Sequence, residues 1–296
     1  MFSKIKLISI SILFFYFLFI NTSGAKANNN QLDLLISQVK TLQKEIQSLQ
    51  KMISLFKLQK TITADAYLVV NLNNQSIILE KNKEKQYPIA SLTKLMNAVI
   101  VKENLDLNQT ISLTKEMLEP EGYSPSLFLG LKINARNLLQ ASLIQSTNDA
   151  ANALSYFLGK EKFLELMNQK TKDLQMENTL FIDVYGLNPG NHSNAEDLVK
   201  LLNYIYQYHS EILKITKNND FWLPNQAGRW LKFKNLNIFY KMPEFIGGKT
   251  GYTPEAKETL AAIFNINNEP IAIVLLFSQN QQGDALKILN WLKFTE

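Results

Sequence analysis

The sequence predicts a mixed α/β domain of the α+β kind, an antiparallel sheet flanked by helices, and three observations carry that prediction. Residues 66–71 and 76–80 are short apolar runs joined through Asn73-Asn74. Residues 259–265 and 271–277 repeat the arrangement around Asn267-Asn268, and apolar runs joined by such polar turns read as hairpins. Between the two pairs, Leu92 to Ile215 is mostly helical in pattern. Strands at both ends of a helical middle are accommodated by one sheet that distant segments complete, with helices on its faces.

The elements follow in chain order. Lys4 and Lys6 precede an apolar run from Leu7 to Ile20, followed by Ala25-Lys26-Ala27, the small-x-small arrangement of an export signal cut after Ala27. The run holds 14 residues, short for a membrane span. Retention of residues 1–27 as a membrane tether is the competing expectation.

Residues 28–60 carry a second periodic feature. Leu32, Leu35, Val39, Leu42, Ile46, Leu49, Ile53 and Phe56 alternate at spacings of three and four, an unbroken heptad seam. Leu32, Val39, Ile46 and Ile53 take the a positions, and mostly β-branched residues there with Leu at d favour a parallel two-stranded coil. The expectation is a stalk that pairs two copies through residues 32–56, reaching about 37 Å at ~1.5 Å per residue. A single amphipathic helix folded against its own domain is the alternative.

From Thr61 to Glu296 the chain reads as one catalytic-sized domain or two intimately packed lobes, long enough for a sizeable core. Asp284 to Phe294 is a closing helix, expected to pack on the sheet.

Composition narrows the chemistry. The formal charge is +5, and loss of Lys4, Lys6 and Lys26 with the signal leaves +2, which gives no case for nucleic acid. The absence of cysteine excludes a thiol nucleophile and thiolate-held metals. The two histidines cannot form a three-His zinc site. His192 follows the turn Asn188-Pro189-Gly190-Asn191 and is expected in a loop or cap. His209 lies in the stretch Tyr204 to Ile212 and is expected on a helix, at the surface or partly buried. No metal and no cofactor is expected.

Three short pieces then stand out in order: Ser91-Leu92-Thr93-Lys94, Ser146-Thr147-Asn148 and Lys249-Thr250-Gly251. Each of the first two has decoys. Ser followed three residues later by Lys recurs at Ser3, Ser37, Ser48, Ser54 and Ser112, and Ser-x-Asn recurs at Ser278, whereas Lys-Thr-Gly occurs once. Context separates Ser91 from the rest. Leu92, Leu95, Met96 and Val99 form a core-facing helical stripe, which leaves Ser91 and Lys94 as helical neighbours on another face. Lys115, by contrast, runs into an acidic stretch ended by Pro120, so Ser112 is expected to be a solvated cap or turn residue. An alcohol nucleophile needs a base within hydrogen-bond reach. Lys94 is placed to be that base for Ser91 if burial and a second cation, Lys249, hold it neutral.

With these residues in view the chain resembles the serine D-alanyl-D-alanine carboxypeptidases, the low-molecular-mass penicillin-binding proteins. Further segments carry the likeness: Ala66 to Val70 with Ile77 to Leu79, Pro125 to Leu129, Phe181 to Leu187, His192 to Leu198, Asn235 to Asn237 and Gly247 to Thr253. Residues 62–295 are covered. The resemblance implies a β-lactamase/transpeptidase-like fold with a helical lobe beside the sheet and, since the sequence ends just after Phe294, no extra β-rich C-terminal domain. It implies that the Ser146 hydroxyl relays a proton to the leaving amine and that the Asn148 amide holds the substrate backbone. Lys249 and Thr250 would attract the substrate's terminal carboxylate, Gly251 would allow close approach, and the backbone N–H groups of Ser91 and Tyr252 would form the oxyanion hole. Peptidoglycan stem peptides are the implied substrate, β-lactams the covalent inhibitors, and the periplasm or another extracytoplasmic space the implied location. The sequence departs from the family where Asn97 replaces Thr, Asp183-Val184 replaces Asn-Pro, and Lys257 replaces Gly.

Carboxypeptidase and cross-link endopeptidase activities both fit these motifs. A β-lactamase fits less well, because Glu165-Leu166-Met167-Asn168 does not match the Glu-x-x-Leu-Asn stretch that the first class of those enzymes uses for deacylation. A third alternative is an inert scaffold that works through its coiled coil.

Overall fold

The computed structural model describes residues 29–120, 126–224 and 228–295. The expected export segment, 1–27, and Pro125 lie outside them. Two compact units meet between Lys60 and Thr61. The first contains α1 (Asn29–Thr61), a run free of Pro and Gly and rich in good helix formers. Its seam residues Leu42, Ile46, Leu49, Ile53 and Phe56 are 42–57% exposed. Among the described residues no helix is long and apolar enough to cross a membrane.

The second unit is built on a five-stranded sheet. Its strands are β1 (Ala66–Asn71), β2 (Ile77–Lys81), β9 (Phe245–Thr253), β10 (Lys257–Ile266) and β11 (Glu269–Ser278), in the order β2-β1-β11-β10-β9. Every pairing is antiparallel, as the sequence predicts. The β10–β11 turn places Asn267 and Asn268 at φ +53° and +67°, the double left-handed conformation of a tight hairpin that Asn tolerates. β1 joins β11, and the start of this unit is tied to its last helix by the Asp284 carboxylate, which accepts from the backbone N–H groups of Thr63 and Ala64 and from the hydroxyls of Thr63 and Ser278. Ser278, the decoy of the second motif, is thus part of a structural clasp.

β1 is buried along its whole length, so both faces of the sheet are covered. Leu68, Val70, Ala272, Val274, Ala261 and Ile263 join the main core with Leu198, Leu201, Leu202 and Ile205 of α6 (Ala195–Tyr208). Strand alternation sends Val69, Ile273 and Ala262 to the other face, where α8 (Gln281–Thr295) packs on β10 and β11 with Ile288, Leu289 and Leu292 buried.

The helical part contains α2 (Thr93–Asn104), α3 (Ala135–Ile144), α4 (Asn148–Ser155), α5 (Lys160–Asp173) and α7 (Ser210–Lys217). Small two-stranded sheets pair β3 (Tyr87–Pro88) with β6 (His192–Ser193), β4 (Thr110–Ser112) with β5 (Lys132–Asn134), and β7 (Phe221–Pro224) with β8 (Trp230–Phe233). Some expectations change. The stripe on α2 is real, but every residue from Thr93 to Val101 is buried, so the helix is central and wrapped on all sides. Ser112 is exposed on strand β4, not in a cap. His192 is in β6, and His209 sits in the break between α6 and α7, where its Nε2 meets the Glu103 carboxylate at 3.1 Å.

Candidate active site

Ser91 lies in a single 3-10 turn, Ala90–Leu92, directly ahead of α2. Ala90 is held at φ +47°, a conformation that costs an L-residue about 1 kcal/mol or more. Gly186 presses on this turn: a Cβ there would come within 2.0 Å of the Ala90 carbonyl oxygen. The turn continues into α2 with Lys94 in its first full turn, so Ser91 and Lys94 meet at i and i+3.

Lys94 Nζ is 3.0 Å from Ser91 Oγ, 2.7 Å from Asn148 Oδ1 and 2.6 Å from the Tyr185 carbonyl oxygen. Burial pushes its pKa well below the ordinary lysine value, the Lys249 charge pushes it further, and Asp183 opposes the shift. A neutral amine has two N–H groups and one lone pair. Two of the three partners are carbonyl oxygens that can only accept, so they take the two N–H groups. In that neutral form the lone pair is left for the Ser91 hydroxyl to donate to, whereas a protonated Lys94 donates to Ser91 Oγ as well. The neutral form has the polarity a general base requires.

The Tyr185 carbonyl is aimed by Asp183. Its Oδ1 accepts from the backbone N–H groups of Tyr185 and Gly186 and from Asn191 Nδ2, and its Oδ2 from those of Leu187 and Asn188. Asn191 Nδ2 also reaches Thr93 Oγ1 at 3.0 Å, joining the loop to the start of α2. Asn97, one turn below Lys94, donates to the carbonyls of Ala151 and Val184 and so ties α4 to the same loop. Among the residues that shape the site, Asn97, Asp183, Tyr185, Gly186 and Asn191 had no assigned role from sequence. A signal did exist for Asn97 and Asp183, since both mark departures from the family pattern.

The second motif occupies the α3–α4 junction. Ser146 is half-buried at φ +59°, and Thr147 is the N-terminal cap position of α4 without a side-chain capping bond. The turn therefore presents Asn148 inward, where its carbonyl oxygen holds Lys94. The resemblance gave Asn148 a role toward substrate only; the structure adds the contact with Lys94.

The third motif runs along β9, an edge strand. Lys249 is buried and Thr250 half-buried, although burial along β9 does not alternate strictly, with Gly247, Gly248 and Lys249 all buried. Burial lowers the Lys249 pKa to about 7. Gly251 pairs with Thr259, whose hydroxyl donates to the Ile89 carbonyl at 3.3 Å. A Cβ on Gly251 would lie 2.8 Å from Ser91 N and 2.7 Å from Thr259 Oγ1, so only glycine lets the strand approach the serine turn this closely. Farther back, Gly248 N donates to Thr216 Oγ1 of α7. Tyr252 is 66% exposed. Lys257 adopts φ +53°, which accounts for the family's glycine at this position.

The structure therefore joins Ser91, Lys94 and Asn148 by direct hydrogen bonds, sets Gly251 against Ser91, and brings Lys249 near enough for its charge to act on Lys94. Ser146 and Tyr252 sit on the adjoining turn and strand. Glu165 is exposed and paired with Lys162 at 3.3 Å, and Asn168 is occupied by the backbone of Phe181, so neither offers deacylating chemistry. Among the described residues no group of His, Cys, Asp and Glu could hold a metal ion.

A half-buried serine bonded to a buried lysine at the start of a central helix, facing an edge strand with Lys-Thr-Gly, defines a penicillin-binding type of serine peptidase. The chain belongs to the D-alanyl-D-alanine carboxypeptidase family, peptidase family S11, whose model matches residues 53–280. It is 32% identical over 248 residues to a D-alanyl-D-alanine endopeptidase of Pseudomonas aeruginosa, covering 80% of this chain and 79% of that one. It is 27% identical to a D-alanyl-D-alanine carboxypeptidase of Mycobacterium tuberculosis, covering 74% of this chain and 77% of the relative. Among solved structures it is similar to the Streptomyces K15 DD-transpeptidase, with TM-score 0.73, 25% identity, and coverage of 78% of this chain and 97% of the other.

Proposed function

We propose that the protein cleaves D-alanyl-D-alanine in peptidoglycan stem peptides through an acyl-enzyme on Ser91. The observation that carries this is the set of three partners around Lys94, which leaves the lone pair for Ser91. Lys94 Nζ takes the Ser91 proton as Oγ attacks the carbonyl carbon of the penultimate D-alanine. The oxyanion is met by the backbone N–H groups of Ser91 and Tyr252, worth ~2.7–4 kcal/mol for one donor. The C–N bond then breaks, with the Ser146 hydroxyl passing a proton to the departing amine. Water hydrolyses the ester, returning the proton to Ser91. Lys249 and Thr250 receive the terminal carboxylate, and the Asn148 amide receives the substrate backbone.

The departing amine is free D-alanine for a carboxypeptidase and a cross-linked side chain for an endopeptidase. Relatives with each name support keeping both. Incubation with a pentapeptide and with a cross-linked dimer, followed by separation of products, tests the reading. Release of D-alanine or of monomers, absent in Ser91→Ala, supports it, and no product from either substrate refutes it.

The apolar run ahead of Ala25-Lys26-Ala27 and the substrate's chemistry support a location outside the cytoplasm, with a membrane tether if residues 1–27 are retained. The unbroken seam with exposed apolar positions supports pairing of two copies through residues 32–56.

A further inference from the structure

The β7–β8 hairpin departs from the usual pattern of a half-buried sheet, apolar inside and polar outside. Its inner face is ordinary: Phe221 stacks on Phe233 with ring centroids 4.5 Å apart, and Leu223 and Leu231 are half-buried. The outer face carries Trp222 opposite Lys232 and Pro224 opposite Trp230, with the two indoles 52% and 64% exposed. Lys232 Nζ lies 5.1 Å from the centre of the Trp222 ring and 2.9 Å from Asp220, so the ring's orientation is fixed by a cation over its face.

This platform is attached to the frame of the cleft. Ser126 Oγ donates to the Lys232 carbonyl at 2.8 Å. Just beyond β8, Leu236 N donates to the carbonyl of Ile144, two residues before Ser146, and Asn237 Nδ2 donates to the carbonyl of Gly248, next to Lys249. The hairpin therefore springs from the place where the second and third motifs adjoin.

We propose that Trp222, Trp230 and Lys232 form a carbohydrate subsite, holding sugar rings of the glycan strand from which the stem peptide hangs. The proposal rests on the peptidoglycan reading above. The apolar face of a pyranose stacks on an indole, and the Lys232–Asp220 pair offers a donor and an acceptor to the hydroxyls around it. Two half-exposed indoles present roughly 300 Å², far short of the ~800 Å² per partner of a stable protein interface but suited to a small flat ligand. The ties to Ile144 and Gly248, beside the second and third motifs, favour this occupant, since the glycan strand carries the stem peptide that the cleft takes.

The test compares the full chain with the double variant Trp222→Ala/Trp230→Ala. Oligomers of N-acetylglucosamine should quench tryptophan fluorescence in the parent and leave the variant's unchanged. On glycan-linked pentapeptide the variant's KM should rise about tenfold, two stacking contacts' worth, while turnover of free pentapeptide and acylation by penicillin stay the same. Equal quenching by the oligomers and equal KM in parent and variant overturn the proposal, as does a variant defect confined to binding phospholipid vesicles. Failure of the parent to react with penicillin or free pentapeptide would sink the cleft reading instead, and the fluorescence measurement would still report on the platform.

Discussion

Asp183→Asn is the most informative single substitution, because the family commonly has Asn there and this chain has built its loop around a carboxylate. Both Asp183 oxygens accept, Oδ1 from Tyr185 N, Gly186 N and Asn191 Nδ2, and Oδ2 from Leu187 N and Asn188 N. An Asn amide in either orientation turns an NH2 toward two backbone N–H donors. Two charge-assisted bonds are lost, at about 1.5 kcal/mol or more each, so the domain should lose about 3 kcal/mol. At 2–4 °C per kcal/mol for a domain of this size, Tm should fall by about 6–12 °C. The same change removes the negative charge that favours protonated Lys94. The Lys94 pKa then falls further, and the acid limb of kcat/KM moves to lower pH. Thermal unfolding and a pH-rate profile on a pentapeptide read the two effects. An unchanged Tm with an unmoved limb would refute the assignment of Asp183 as the anchor of the 183–188 loop.

Other predictions follow from the same geometry. Gly251→Val drives a side chain into Ser91 N and Thr259 Oγ1, so it should cost about 1–3 kcal/mol of stability, and a shift of ~1 Å at the nucleophile should slow acylation about 100-fold; acylation at the parental rate would contradict the close approach. Activity should be bell-shaped in pH: it rises as Lys94 becomes neutral and falls above about 7 as Lys249 loses the charge that attracts the carboxylate, so a profile still rising through pH 9 would exclude Lys249 from that role. Because the unfolded chain binds a proton that folded Lys249 gives up, stability should increase as pH rises from about 7 toward 10. Lys249→Met should raise Tm at pH 7, where the buried amine costs on the order of 4 kcal/mol, while activity is lost. For α1, Leu42→Asp with Leu49→Asp should convert a dimer to a monomer in sedimentation, and a monomeric parent would remove the stalk from the account.

Much of this was legible in the chain. The sheet could be read because both hairpins announce themselves with Asn-Asn turns, and at Asn267-Asn268 those residues do adopt the left-handed conformation. The Ser91–Lys94 pair could be read because the two lie one helical turn apart. The rest of the site depends on distant partners. Asn148 and Tyr185 stand 54 and 91 positions from Lys94, and the Tyr185 group is a backbone carbonyl, which no side-chain pattern reveals. Asp183 likewise works mostly through main-chain N–H groups. The central burial of α2 was hidden because its outer face carries Thr93, Lys94 and Asn97, polar residues that pair inside the protein.

The central claim is that Ser91 is the nucleophile and Lys94 its neutral base. Mixing the protein with penicillin and following intact mass tests it most directly, with Ser91→Ala and Lys94→Ala alongside. The account predicts a long-lived adduct on the parent, none on Ser91→Ala, and greatly slowed acylation of Lys94→Ala. An adduct on Ser91→Ala, or none on the parent, would contradict it.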